Sequence, residues 1–180
     1  MAKPCFDPRA DGAFTIRLAA PADAAGILAV YAPYITGTCI TFETEVPSAK
    51  AFAERTAAIL REYPYYICRI DNKIVGFAYA SQHRERAAYR YSADVSVYVE
   101  PAHQRQGIGK ALYTVLLEAM TEQGIYTAYA GITLPNEKSI GLHKSFGFHD
   151  VGVYSHVGYK SGKWLDVLWM EKALREYGKP

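Results

Sequence analysis

The chain has 180 residues, 50% hydrophobic and 21% charged, and its 20 Lys+Arg against 18 Asp+Glu leave a net charge of +2, the composition of an ordinary globular domain with enough apolar surface for one core. A pI near 8.3 gives no argument for nucleic acid, whose binding domains usually lie above about pI 9 with clustered Lys and Arg. No apolar run approaches the roughly 20 residues of a membrane span.

The opening "MAKPCFDPRADG" carries no apolar segment of the secretory kind, so the chain is expected to be cytoplasmic. Residues 1–13 read as a loose arm, 14–175 as one domain and 176–180 as a tail. Cys5, Cys39 and Cys68 are odd in number and lack CxxC spacing, which predicts reduced thiols and neither a disulfide frame nor a metal site. Phe14–Ala19 alternates as a strand. Pro21 and Asp23 suit the first turn of a helix with Ile27, Val30, Tyr31 and Tyr34 on one face. "TGTCITFETEVP" reads as a loop, and Ser48 as the N-cap of a second amphipathic helix.

"YYICRI" and "KIVGFAYAS" form a hairpin around Asp71-Asn72. After the charged loop "QHRERAAYR", Tyr91–Val99 is a strand. The helix "GIGKALYTVLLEAM" places Ile108, Leu112, Val115, Leu116 and Ala119 at helical spacing. "YTAYAGIT" is a strand, Asn136–Phe146 a short helix closed by Gly147, and the last two strands flank Ser161-Gly162. The order β-α-α-β-β-β-α-β-α-β-β predicts one α/β domain with a mixed sheet. The 15 tyrosines suit either amphipathic packing or an aromatic pocket.

"HQRQGIGKAL" sets two glycines where a helix begins. Strand, basic glycine loop and helix together make the layout of an anion site, because the first amides of the helix are unpaired and the dipole favours negative charge. The spacing fits neither the Walker A loop nor GxGxxG. Asp94 lies inside a β-branched and aromatic strand, where aspartate is disfavoured. It shares a face with Ser96 and Tyr98, while Val95, Val97 and Val99 line the other. Either it does proton chemistry or it pairs structurally, for example with Arg86 or Arg90. His143 lies three residues from both Ile140 and Phe146, so it faces the sheet, as a core histidine or a proton relay. Asn136 reads as a helix cap after Pro135.

Gln104-x-x-Gly107-x-Gly109 resembles the Q/R-x-x-G-x-G/A motif of the GNAT N-acetyltransferases. "SVYVEPAHQRQGIGKALYTVLLEAM", "LPNEKSIGLHKSFGF", "VGYKSGKWLDV", "RERAAYRYSADVSVYV" and "YITGTCITFETE" together resemble its phosphinothricin acetyltransferase group, which includes enzymes acetylating methionine sulfoximine and sulfone. The resemblance implies a mixed, mostly antiparallel twisted sheet of about seven strands flanked by about four helices. It implies acetyl-CoA as co-substrate and no metal, with Gln104, Arg105, Gln106, Gly107, Ile108, Gly109 and Lys110 around the pyrophosphate. Val97, Tyr98 and Val99 would run along the pantetheine through their backbone, the amide near Val97 polarising the acetyl carbonyl, with Asn136 and Ser139 beside the same arm.

Asp94 stands where the group usually carries a glutamate that deprotonates the amine, and the shorter side chain calls for a bridging water. His143 stands where many members carry a tyrosine that protonates the leaving thiolate. Arg84, Arg86 and Tyr89 match a pattern suited to a substrate carboxylate and a second anionic or tetrahedral group, and Phe42 matches the wall of that pocket. Trp164 and Asp166 fit a structural or dimer surface. The implied function is acetylation of the α-amine of a small amino acid by a homodimer. The alternatives are another amine or a protein N-terminus, or a non-catalytic acetyl-CoA-binding module.

Overall fold

The boundaries of the elements follow from short-range chemistry. The Ser48 hydroxyl accepts a hydrogen bond from the Ala51 amide at 3.1 Å and starts a helix, as an N-cap should. Asp71 and Asn72 take φ of 46° and 67°, and Ser161 and Gly162 take 53° and 79°, the left-handed pairs that tight hairpins require. The computed structural model describes residues 14–179. The arm expected over 1–13, with Cys5, lies outside the described residues.

In chain order the elements are β1 (Thr15–Leu18), α1 (Ala24–Gly37), α2 (Ala49–Glu62), β2 (Tyr65–Ile70), β3 (Lys73–Gln82), β4 (Ser92–Val99), α3 (Ile108–Gln123), β5 (Thr127–Thr133), α4 (Glu137–Ser145), β6 (His149–Lys160) and β7 (Lys163–Ala173). The sheet order is β1-β2-β3-β4-β5-β7-β6, and only the β4–β5 pair is parallel. The expected mixed, mostly antiparallel sheet of seven strands with four helices is what forms. One local reading is corrected. Pro21–Asp23 make a 3-10 turn, and α1 begins only at Ala24. The reason is that Asp23 is engaged backwards: its carboxylate accepts two bonds from Arg17 at 2.7 Å and one from the Ala20 amide at 2.8 Å.

Each face of the sheet has its own core. Leu112, Leu116 and Met120 of α3 settle on Ala78, Ala80, Ala93, Ala128 and Ala130, all essentially inaccessible to solvent; small strand residues let the helix approach closely. On the other face Ile27, Tyr31, Ile35 and Phe52 cover Tyr65, Ile67 and Phe77. Much of the tyrosine excess is spent here on packing: Tyr31 and Tyr34 meet the Tyr98 ring edge-on at 4.9 and 5.2 Å, Phe77 stacks on Tyr98 at 5.1 Å, and Tyr65 stacks on Tyr79 at 4.9 Å.

Candidate active site

The site exists because two neighbouring strands part. β4 pairs with β5 only from Ser92 to Asp94, opposite Thr127 to Tyr129. Beyond Asp94, β4 stays with β3 as far as Val99, while β5 stays with β7 as far as Thr133. The remaining edge of β4 thus faces an opening with no β5 partner, able to pair with an extended ligand. A small cavity of about 50 Å³, bounded by Val95, Val97, Ala130, Ile132 and His143, fills the divergence. It shares Ile40, Val97, Tyr98, Asn136 and Ser139 with a groove of about 660 Å³.

Val97, Tyr98, Val99, Gln104, Arg105, Gly107, Gly109, Lys110, Asn136 and Ser139 all border that groove. Gly107 caps α3 with φ of 84°, which a side chain would disfavour by roughly 1–2 kcal/mol. The first helical bond runs from the Ala111 amide to the Gly107 carbonyl at 2.9 Å, so the amides of Ile108, Gly109 and Lys110 remain as donors at the positive end of the helix. His103, Arg105, Lys110 and Lys138 surround them with basic groups. A Cβ on Gly109 would make only ordinary contacts, 3.6 Å to Leu142 and 3.8 Å to Val99. Packing therefore does not demand glycine there; clearance at the groove is the remaining reason.

Two of the expected donor-end residues do not line the groove with their side chains. The Ile108 side chain is buried in the α3 core at 1% exposure, because it sits on the helix face turned to β3, so only its backbone is at the groove. The Gln106 amide group donates to the Ala102 carbonyl at 3.3 Å and does not border the groove. Tyr98 borders it too, but its ring packs against α1. Tyr34 was not foreseen: its hydroxyl donates to the Val99 carbonyl and accepts from the Gln104 side chain at 3.0 Å, so α1 fixes the motif glutamine to the end of β4.

At the narrow end of the divergence, Asp94 pairs with neither Arg86 nor Arg90. Its Oδ1 lies 2.6 Å from His83 Nδ1. The β3–β4 register sets Ser81 opposite Asp94, so His83 is the diagonal neighbour on the same face. His83 stacks on Tyr129 at 4.4 Å and meets the Trp169 ring edge-on at 6.1 Å and the Tyr89 ring at 5.9 Å. Burial raises the Asp94 carboxyl above its ordinary value, opposed by the His83 hydrogen bond and by the charges of His83 and Arg84. Arg84 and Arg86 are exposed, and Tyr89 closes the 3-10 turn Ala87–Tyr89.

His143 is 3% exposed. Its Nδ1 lies 2.7 Å from the Ser139 carbonyl and its Nε2 2.8 Å from the Tyr113 hydroxyl. Nδ1–H donates to the carbonyl, so Nε2 accepts from the phenol. Both ring nitrogens are engaged, as in a core histidine, while the ring also borders the small cavity. Burial lowers its pKa, with the Ser139 bond opposing. The sign is fixed by linkage: a depressed imidazole contributes stability above about pH 6.5, its unfolded value, and loses it as pH falls. Urea midpoints should drop between pH 7 and pH 5 by more in the native protein than in His143→Gln; equal drops would refute the assignment.

The family description "Acetyltransferase (GNAT) domain" matches residues 16–169. The chain belongs to the GNAT acetyltransferases. It is 35% identical to the phosphinothricin N-acetyltransferase of Streptomyces viridochromogenes, over 87% of this chain and 86% of that one. It is 34% identical to the L-methionine sulfoximine/L-methionine sulfone acetyltransferase of Salmonella typhimurium, over 92% and 98%. An acetyltransferase structure from Salmonella typhimurium, solved with its cofactor acetyl-CoA, superposes with a TM-score of 0.89 at 32% identity, over 93% of this chain and 97% of that one.

In this GNAT acetyltransferase the loop after α1 walls the site. Phe42 is 39% exposed and its ring occupies the place a Cβ on Gly158 would take. Lys160, 7% exposed, donates to the Ile35 and Thr41 carbonyls at 2.8 Å each, tying β6 to the last turn of α1 and to the start of that loop. Asp166 accepts from the His156 amide at 2.7 Å and holds the irregular stretch of β6, while Trp164 is exposed. Asp166 is thus structural. Cys39 and Cys68 are free, and burial pushes the Cys68 thiol up to about 12, so it is no nucleophile at neutral pH. Among the described residues no cluster of His, Cys, Asp or Glu is arranged to hold a metal, and no helix is long and apolar enough to cross a membrane.

Proposed function

We propose that the protein transfers the acetyl group of acetyl-CoA directly, in a ternary complex, to the α-amine of a small amino acid of the phosphinothricin, methionine sulfoximine or methionine sulfone kind. The observation that carries the reading is the parting of β4 from β5, with a helix start suited to an anion at one end and a half-buried carboxylate at the other. The residues fit the donor. The free amides of α3 and the basic groups of Arg105, Lys110 and Lys138 suit a pyrophosphate, and the open edge of β4 suits an amide-bearing arm. When bound, acetyl-CoA supplies the thioester whose carbonyl the amine attacks.

The chain supplies the rest. The Val97 amide lies where a developing oxyanion would be stabilised. The proton-accepting site is centred on Asp94, and we assign His143, which borders the small cavity, to proton relay near the leaving sulfur. We assign Arg84, Arg86 and Tyr89 to the substrate carboxylate, to which guanidinium groups are suited, and Phe42 to the wall around its side chain. We place the enzyme in the cytoplasm, in keeping with two free cysteines. We also take it to be a homodimer. The edge strand β6 exposes Val151, Val153, Tyr154, Val157 and Tyr159, beside Trp164 of β7, an apolar row that an isolated edge does not favour. Light scattering should give twice the 20.0 kDa chain mass; a monomer at micromolar concentration contradicts this.

Mass spectrometry of a reaction with L-phosphinothricin or L-methionine sulfone tests the chemistry. One acetyl group on the α-nitrogen is expected, with intersecting initial-rate plots. Parallel plots would contradict direct transfer. Acetyl-CoA binding without turnover of any amine would instead leave a binding module.

A further inference from the structure

We propose that the group taking the proton from the acceptor amine is His83, through Nε2, and that Asp94 acts through it as the positioning carboxylate. This rests on the reading that the protein acetylates an amino-acid amine. The sequence places an aspartate too short to serve unaided, and the structure shows what its carboxylate reaches: His83 Nδ1 at 2.6 Å. A carboxylate only accepts, so Nδ1 carries a hydrogen, and in the neutral ring, the form that acts as a base, Nε2 holds the lone pair. Nε2 has no partner among the described residues. The ring is fixed on Tyr129 at 4.4 Å, and Tyr129 is the β5 residue opposite Asp94, the last pair before the strands part. The base is therefore at the apex of the opening that exposes the β4 edge.

The Trp169 ring of β7 meets the same imidazole edge-on at 6.1 Å, so the ring is held by its neighbours from β5 and β7.

In the step, Nε2 takes one proton from the α-ammonium and releases it to solvent. The freed lone pair forms the N–C bond, the C–S bond breaks, and the proton shed as the amide forms ends on the departing sulfur. The Asp94 carboxylate offsets the positive imidazolium while it exists. The charged and titratable groups facing the pair are Arg84 and Tyr89 from the loop, Tyr63 after α2, Tyr79 of β3, and Tyr129 of β5 with its hydrogen-bond partner Glu171 of β7. Burial raises Tyr63, Tyr79 and Tyr129.

The test compares His83→Gln and His83→Phe with the native enzyme from pH 6.5 to 9.5, using L-methionine sulfone and acetyl-CoA, after circular dichroism has shown both variants folded. His83→Phe keeps the ring stack and removes the base. At pH 7 kcat should fall at least about 100-fold in both, the range for a lost general base, with the KM for acetyl-CoA unchanged. The deficit should shrink as pH approaches the amine's own pKa, since solvent then removes the proton. A deficit below about threefold, or one constant across pH as lost packing would give, overturns the proposal. If the His83 variants are active while Asp94→Asn is not, only this inference fails; if the native enzyme acetylates no amino acid, the underlying reading fails.

Discussion

Asp94→Asn is expected to lower kcat by about 10²–10⁴-fold, the contribution of a positioned acid–base group, with little change in the KM for acetyl-CoA. The substitution keeps shape and removes charge. Burial already raises the Asp94 carboxyl, so a neutral amide costs the fold little, and thermal midpoints should move by only a few degrees. What is lost is the charge-assisted bond to His83 at 2.6 Å. The Asn side chain could offer His83 either its carbonyl or its NH2; in the second case the imidazole takes the wrong tautomer and its free nitrogen carries a hydrogen. Initial rates across pH 6–9 check this. Near-native kcat/KM throughout would remove Asp94 from the chemistry and leave it a structural carboxylate.

The donor end gives the second large effect. Gly109→Val should raise the dissociation constant for coenzyme A at least tenfold, about 1.4 kcal/mol, while the protein stays folded. A Cβ at this position meets Leu142 and Val99 only at 3.6 and 3.8 Å, so the core admits it. The branched methyls are the difference, since Gly109 borders the groove beside the unpaired amides of α3. Titration calorimetry with coenzyme A, alongside a melting curve, separates binding from stability. Unchanged affinity would mean that the ligand does not approach this turn.

What was legible in the sequence was local. Ser48 capping α2, the left-handed hairpin residues, the α3 periodicity and the glycine turn each depend on neighbours within a few positions. The alternation in β4 correctly put Asp94, Ser96 and Tyr98 on one face. What was not legible was which distant chains met those faces. Lys160 bonds the Ile35 carbonyl 125 positions away, and Tyr34 meets Gln104 70 positions away; no spacing within a strand announces either. His83 lies inside the charged loop after β3. Its role depends on the β3–β4 register and on Tyr129 arriving from β5. The burial of Ile108 was not legible for a related reason: a motif treats a turn as one unit, whereas the helix turns that side chain into the core.

The most direct test of the central claim is thiol release from acetyl-CoA, measured as kcat/KM across a panel of L-phosphinothricin, L-methionine sulfoximine, L-methionine sulfone, the common amino acids and a short peptide with a free N-terminus. The geometry predicts turnover with the small amino acids bearing a tetrahedral side-chain group, at least about tenfold above the peptide, a difference of about 1.4 kcal/mol in transition-state binding. Preference for the peptide, or no thiol release with any amine, would contradict it.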